Sequence, residues 1–155
     1  MRALDATFVG LITERFNGLP VDARPKWGKM NRNQAIGHLN MTALYVLGNG
    51  PSFNFRGNLL TRHVFRPLLV NGWMNFPHNI KLPAPKGLTE MPPPPEGTVP
   101  EFRANLLDFI QKRDQGLIES RIHPFFGPLT LKEWSKFQVG HIRHHMLQFG
   151  IADGI

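Results

Sequence analysis

The sequence predicts an all-α protein, most simply a four-helix bundle forming a single domain over residues 1–155. Apolar residues recur at helical rather than alternating spacing, and three of the runs start with Thr or Asn followed three residues on by Glu or Gln. Proline and glycine clusters separate the runs. At 155 residues, with 41% hydrophobic and 19% charged side chains, the chain can bury a core without covalent staples.

Residues 4–17 place Leu4, Phe8, Leu11, Ile12 and Phe16 on one helical face, and the segment NGLPVDARPKWGK then reads as a loop. Asn31 with Gln34 makes a capping box for a second helix, with Met30 and Ala35 as its hydrophobic staple, ending at GNGP after Leu47. Residues 58–74 look helical but carry Pro67, which predicts a kink or break. From Pro83 to Pro100 the chain holds seven of its fourteen prolines, PPPP included, and is expected to cross the domain surface in extended form. Thr98 with Glu101 frames a second box, and Phe102, Leu106, Phe109 and Ile110 share the face that follows. The loop HPFFGPL leads to a third box, Thr130 with Glu133, stapled by Leu129 and Trp134, for a last helix to Phe149.

Composition removes several function classes. Without cysteine there is no disulfide, thiolate metal site or cysteine nucleophile. The first sixteen residues, broken by Asp5, Glu14 and Arg15, do not read as a signal peptide, and no apolar run approaches a membrane span, so a cytoplasmic location and no membrane partner are expected. The net charge of +7 raises a nucleic-acid reading, but the Lys and Arg are scattered singly, and no nucleic-acid partner is expected.

The stretch HIRHHMLQFG carries three histidines in five positions, and rotation decides where they point. At about 100° per residue, Lys132, Lys136 and Arg143 mark one side of the last helix as solvent-facing. The opposite side carries Leu131, Trp134, Gln138, Ile142 and Phe149, with His141 and His145 in its middle and His144 on its shoulder. Positions 134, 138, 141, 145 and 148 also follow a bundle seam, and all but Trp134 are Gln or His. On the second helix, Arg32, Asn33 and Asn40 mark the solvent side, and His38 lies nearly opposite Asn33 and Asn40. Three inward histidines on two helices admit two readings: separately hydrogen-bonded core residues, or ligands converging on one ion. His63, His78 and His123 fall in irregular segments and receive no role; Trp27 walls the cavity or anchors its loop.

WGKMNRNQAIGHL (27–39) and HPFFGPLTLKEWSKFQVGHIRHHMLQFG (123–150) resemble an uncharacterised branch of the DinB/YfiT-like superfamily, which has Trp-Gly-Lys-Met…Gln…His early and His-Pro-Phe-Phe-Gly…Trp…HxxxHxxQFG late. The resemblance implies an antiparallel four-helix bundle holding a divalent ion, nickel or zinc in many members, on one His of the second helix and two of the last. Carried over, these are His38, His141 and His145, with His144 a neighbour. It further implies a metal-dependent enzyme acting on a small molecule, a thiol-dependent transferase or a hydrolase, and often a homodimer; the apolar segment from Val64 to Trp73 suits a dimer contact, and a core role explains it as well. Since the chain has no cysteine, a thiol would enter as a low-molecular-weight cosubstrate. His144, Gln148, Gln138, Gln34 and Tyr45 are in phase to orient ligands or touch substrate, with simple packing as the alternative for each. A metal-binding structural or sensor protein without catalysis is the competing function.

Overall fold

The computed structural model describes residues 2–50, 56–78 and 92–155. Among them the chain is mostly helical, with one two-stranded antiparallel pair. None of the described helices is long and apolar enough to cross a membrane.

Helix α1 (Ala6–Gly18) starts after Asp5, whose carboxylate accepts from the Phe8 N–H at 2.8 Å, so the helix opens two residues later than the apolar spacing suggests. It buries Phe8, Val9, Ile12 and Phe16, whereas Leu11 is only half-buried. Helix α2 (Arg32–Leu47) has the complete capping box: Gln34 N–H donates to the Asn31 side chain, and Asn31 N–H to Gln34 Oε1.

The predicted break at Pro67 is a change of helix type. Thr61–Phe65 form a π-helical turn in which Arg66 N–H reaches back to the Thr61 carbonyl, and α3 (Arg66–Val70) follows. Proline has no N–H, and its ring presses on the carbonyl four residues earlier; the wider π turn relieves that pressure. The apolar segment divides here: Leu69 and Val70 enter the core, while Leu59, Leu60, Val64 and Trp73 are exposed.

Residues 92–98 carry no regular structure and run along α2, where Gly97 N–H donates to the Asn33 carbonyl at 2.9 Å. The expected extended crossing also includes residues 83–91, which lie outside the described residues. At α4 (Val99–Asp114) the predicted capping box closes only halfway: Thr98 Oγ1 accepts from Glu101 N–H, but the Glu101 carboxylate accepts from the Thr98 hydroxyl instead of its backbone N–H. The HPFFG loop is a tight hairpin of β1 (Ile122–His123) and β2 (Gly127–Pro128). Helix α5 (Leu131–Gln148) starts with the full Thr130/Glu133 box.

Helix α2 packs against α4 and α5, α1 against α4, and α3 against α5. This corrects the solvent face assigned to α2. Asn105 of α4 donates to Asn40 Oδ1 at 2.8 Å, Asn33 Oδ1 accepts from Arg32 Nη1 at 3.0 Å while its backbone carbonyl takes the Gly97 N–H, and the Arg32 guanidinium also caps the Phe16 carbonyl at the end of α1 at 2.9 and 3.2 Å. All three polar residues are half-buried at contacts between elements. Polar patterning misleads here because each side chain has a specific partner, which removes the cost of covering it.

Candidate metal centre

Helix α2 supplies His38, half-buried, and α5 supplies His141 and His145, both buried. Their rings converge edge to edge: His38 Nε2 lies 3.0 Å from His141 Nε2, and His145 Nε2 lies 3.2 Å from the same atom. One candidate ligand nitrogen from each residue falls within 4.8 Å of the others. Four-residue spacing on α5 sets His141 and His145 on one face, and the packing of α2 on α5 brings His38 opposite them.

Hydrogen bonding serves this geometry only by sharing. A neutral imidazole Nε2 has one proton or one lone pair, so His141 Nε2 divides a single bond between two neighbours. A cation among three lone pairs satisfies all three. Metal–nitrogen bonds of 2.0–2.1 Å in tetrahedral array imply nitrogens about 3.3 Å apart, close to the observed separations.

One tautomer follows from the surroundings. Gln148 donates through Nε2 to the Trp27 carbonyl at 3.3 Å, which turns its Oε1 toward His145 Nδ1, 2.6 Å away. An amide oxygen only accepts, so the His145 proton sits on Nδ1 and Nε2 presents a bare lone pair. Burial, with His144 nearby, lowers the His38 pKa to about 4. Burial, with His38, lowers that of His145 to about 3, and burial with His38 and His145 holds His141 well below the ordinary range. All three are neutral at pH 7 and ready to act as ligands. Among the described residues no carboxylate joins the cluster, so a divalent ion there would keep its full charge.

The other predicted site residues separate. His144 is half-buried on the shoulder, with ring centroids 5.9 Å from Phe76, 6.3 Å from Trp27 and 6.3 Å from His78; burial, with His78, lowers its pKa. Gln34 is engaged in the α2 cap, and Tyr45 donates its hydroxyl to the Ile122 carbonyl at 2.7 Å beside the hairpin. Gln138 is wholly buried, and neither its Oε1 nor its Nε2 has a protein partner. Trp27 lies over the C-terminal end of the cluster, stacked on His78 at 3.9 Å. Phe76 covers Gly140, where an added Cβ would come within 3.1 Å of its ring, and faces His141 at 6.0 Å. Sequence reasoning gave Phe76 and His78 no place here, and no periodicity in their irregular segment points to one.

His123 is a core residue. Its Nδ1 accepts from the Phe125 and Phe126 N–H groups, its ring stacks on Phe126 at 4.5 Å, and burial lowers its pKa to about 3. A cleft of about 500 Å³ lies beside the Trp27 loop, lined by Val21, Asp22, Arg24, Gly28, Lys29 and Asn31 among others, and none of the three histidines opens into it. Gly28 separates the two: a Cβ there would stand 2.8 Å from Gln148 Nε2, and the residue holds φ +83°. Only glycine lets this loop lie against the amide that orients His145.

No protein-family model, curated protein or solved structure matches the chain.

Proposed function

We propose that this chain is a metal-dependent enzyme of the DinB/YfiT-like type, an antiparallel four-helix bundle in which His38, His141 and His145 hold nickel or zinc. It acts in the cytoplasm on a small molecule, as a thiol-dependent transferase or a hydrolase. The observation that carries this reading is the meeting of three neutral imidazole nitrogens, with the lone pair of His145 fixed by Gln148. The absence of a carboxylate from the cluster among the described residues supports an exchangeable, electrophilic ion.

Held there, a divalent ion supplies Lewis acidity, polarising a substrate carbonyl or easing deprotonation of a thiol or water. The chain's own contributions are orientation and exclusion. Gln148 fixes the His145 ring, while Trp27, Phe76 and His144 form an aromatic wall beside the ligands. With no cysteine in the chain, a thiol nucleophile comes from a cosubstrate.

A second reading, a metal-binding protein without catalysis, is favoured by the deep burial of His141 and His145 and by the absence of the ligands from the cleft wall. Plasma mass spectrometry on untagged protein, wild type beside His141→Ala, tests the centre shared by both. About one equivalent of transition metal in the wild type, lost in the variant, is expected. No metal in either after reconstitution with nickel and zinc refutes both. Metal-dependent consumption of a low-molecular-weight thiol with an electrophile, abolished in His141→Ala, then favours the transferase over the non-catalytic reading.

A further inference from the structure

Helix α5 sets its two buried histidines between two glutamines at mirror-image offsets, Gln138 three residues before His141 and Gln148 three residues after His145. The second pair is joined, with Gln148 Oε1 2.6 Å from His145 Nδ1. The first pair is not. Gln138 is 0% exposed with both amide atoms unpartnered, and the buried Nδ1 of His141 is also unpartnered. Trp27 Nε1 is the remaining buried side-chain polar atom in this condition among the described residues.

A buried amide with neither end satisfied costs free energy that a methionine of similar size would not, so stability alone gives no reason for glutamine here. Helical side chains lean toward the N-terminus, which lays the His141 ring over the turn carrying Phe137 and Gln138; its centroid is 5.3 Å from that of Phe137. His141 Nε2 faces the other two Nε2 atoms, so as a ligand its proton resides on Nδ1 and needs an acceptor.

We propose that Gln138 is the positioning residue of His141: its Oε1 accepts the His141 Nδ1–H, directly or through one buried water, when an ion is seated on the three histidines. This rests on the metal-centre reading above. The two α5 ligands would then be held in the same tautomer by two neutral amides, which fix the rings without the negative charge of a carboxylate.

The test uses zinc as probe and compares wild type, Gln138→Met and Gln148→Met by competition with a chromophoric chelator, with thermal melts of each metal-free protein. Both variants are expected to bind zinc about 10–100-fold more weakly than wild type. The Gln138→Met protein without metal is expected to melt no lower than wild type, since it loses an unsatisfied amide. Zinc affinity of Gln138→Met equal to wild type overturns the proposal and leaves the metal centre standing, whereas wild type that takes no zinc removes the centre itself. A readout independent of the variants comes from imidazole ¹H–¹⁵N spectra of zinc-loaded wild type. A slowly exchanging, downfield His141 Nδ1–H is expected, and one that exchanges as fast as an exposed histidine overturns the proposal.

Discussion

Gly37 precedes His38 and faces the end of the proline run, so Gly37→Ala tests the fold and the candidate site together. A Cβ at Gly37 would lie 1.9 Å from the Pro95 carbonyl oxygen and 2.9 Å from Gly97 N, both backbone atoms with no side-chain freedom to yield. The first distance is about 1.5 Å short of ordinary contact, so α2 or residues 95–97 must move. Two effects oppose each other. In a solvent-facing helix the change would stabilise by about 1 kcal/mol through helix propensity. Overpacking against fixed backbone costs about 1–3 kcal/mol or more, and at 1.5 Å of overlap the upper end applies. The net expectation is about 2 kcal/mol of destabilisation, or a fall in Tm of roughly 4–8 °C for a domain of this size. A shift of α2 carries His38 with it, and metal–ligand distances tolerate only about 0.2 Å, so zinc affinity falls too. Thermal melts followed by circular dichroism and chelator competition read both effects. A Gly37→Ala protein that melts at or above wild type refutes the reasoning, because helix propensity would then have won and the contact could not be as close as described. Gly97→Ala should behave alike, since its Cβ would stand 2.6 Å from Gly37 Cα.

Zinc at about a hundred times its dissociation constant is expected to stabilise the folded state by about 2.7 kcal/mol, raising Tm by roughly 5–10 °C; a chelator reverses the gain and His38→Ala abolishes it, as melts with and without metal will show. Burial holds His123 neutral in the fold, with its pKa lowered to about 3, whereas in the unfolded chain it titrates near 6.5. The unfolded state therefore gains the proton first, and the stability from this residue is whole above about pH 6.5 and is lost as pH falls toward 3, by about 1.4 kcal/mol per pH unit. Urea midpoints at pH 7 and pH 5 should be closer together in His123→Phe than in wild type, and an unchanged gap contradicts the assignment. Gly28→Ala forces a strained φ and a Cβ against Gln148; it should weaken zinc binding without touching a ligand, and affinity equal to wild type in a chelator titration would show that this loop does not support His145.

The sequence by itself determined where the main helices lie and the inward face of the last one. Helix starts are local chemistry, and the Asn31/Gln34 and Thr130/Glu133 boxes formed as read because every atom involved lies within four residues. The inward turn of His141 and His145 also follows from helical periodicity alone. Where a local signal depended on distant neighbours it misled. Asn40 reads as solvent-facing, but its partner Asn105 is 65 positions away. Only the tertiary structure decided that three Nε2 atoms meet within a few ångströms, that the Trp27 carbonyl orients Gln148 and through it the lone pair of His145, and that Tyr45 turns away to the Ile122 carbonyl. The reason is physical: periodicity specifies the direction in which a side chain leaves its own helix. The distance at which side chains from two helices meet is set by how closely the backbones pack, and residue pattern does not encode that separation.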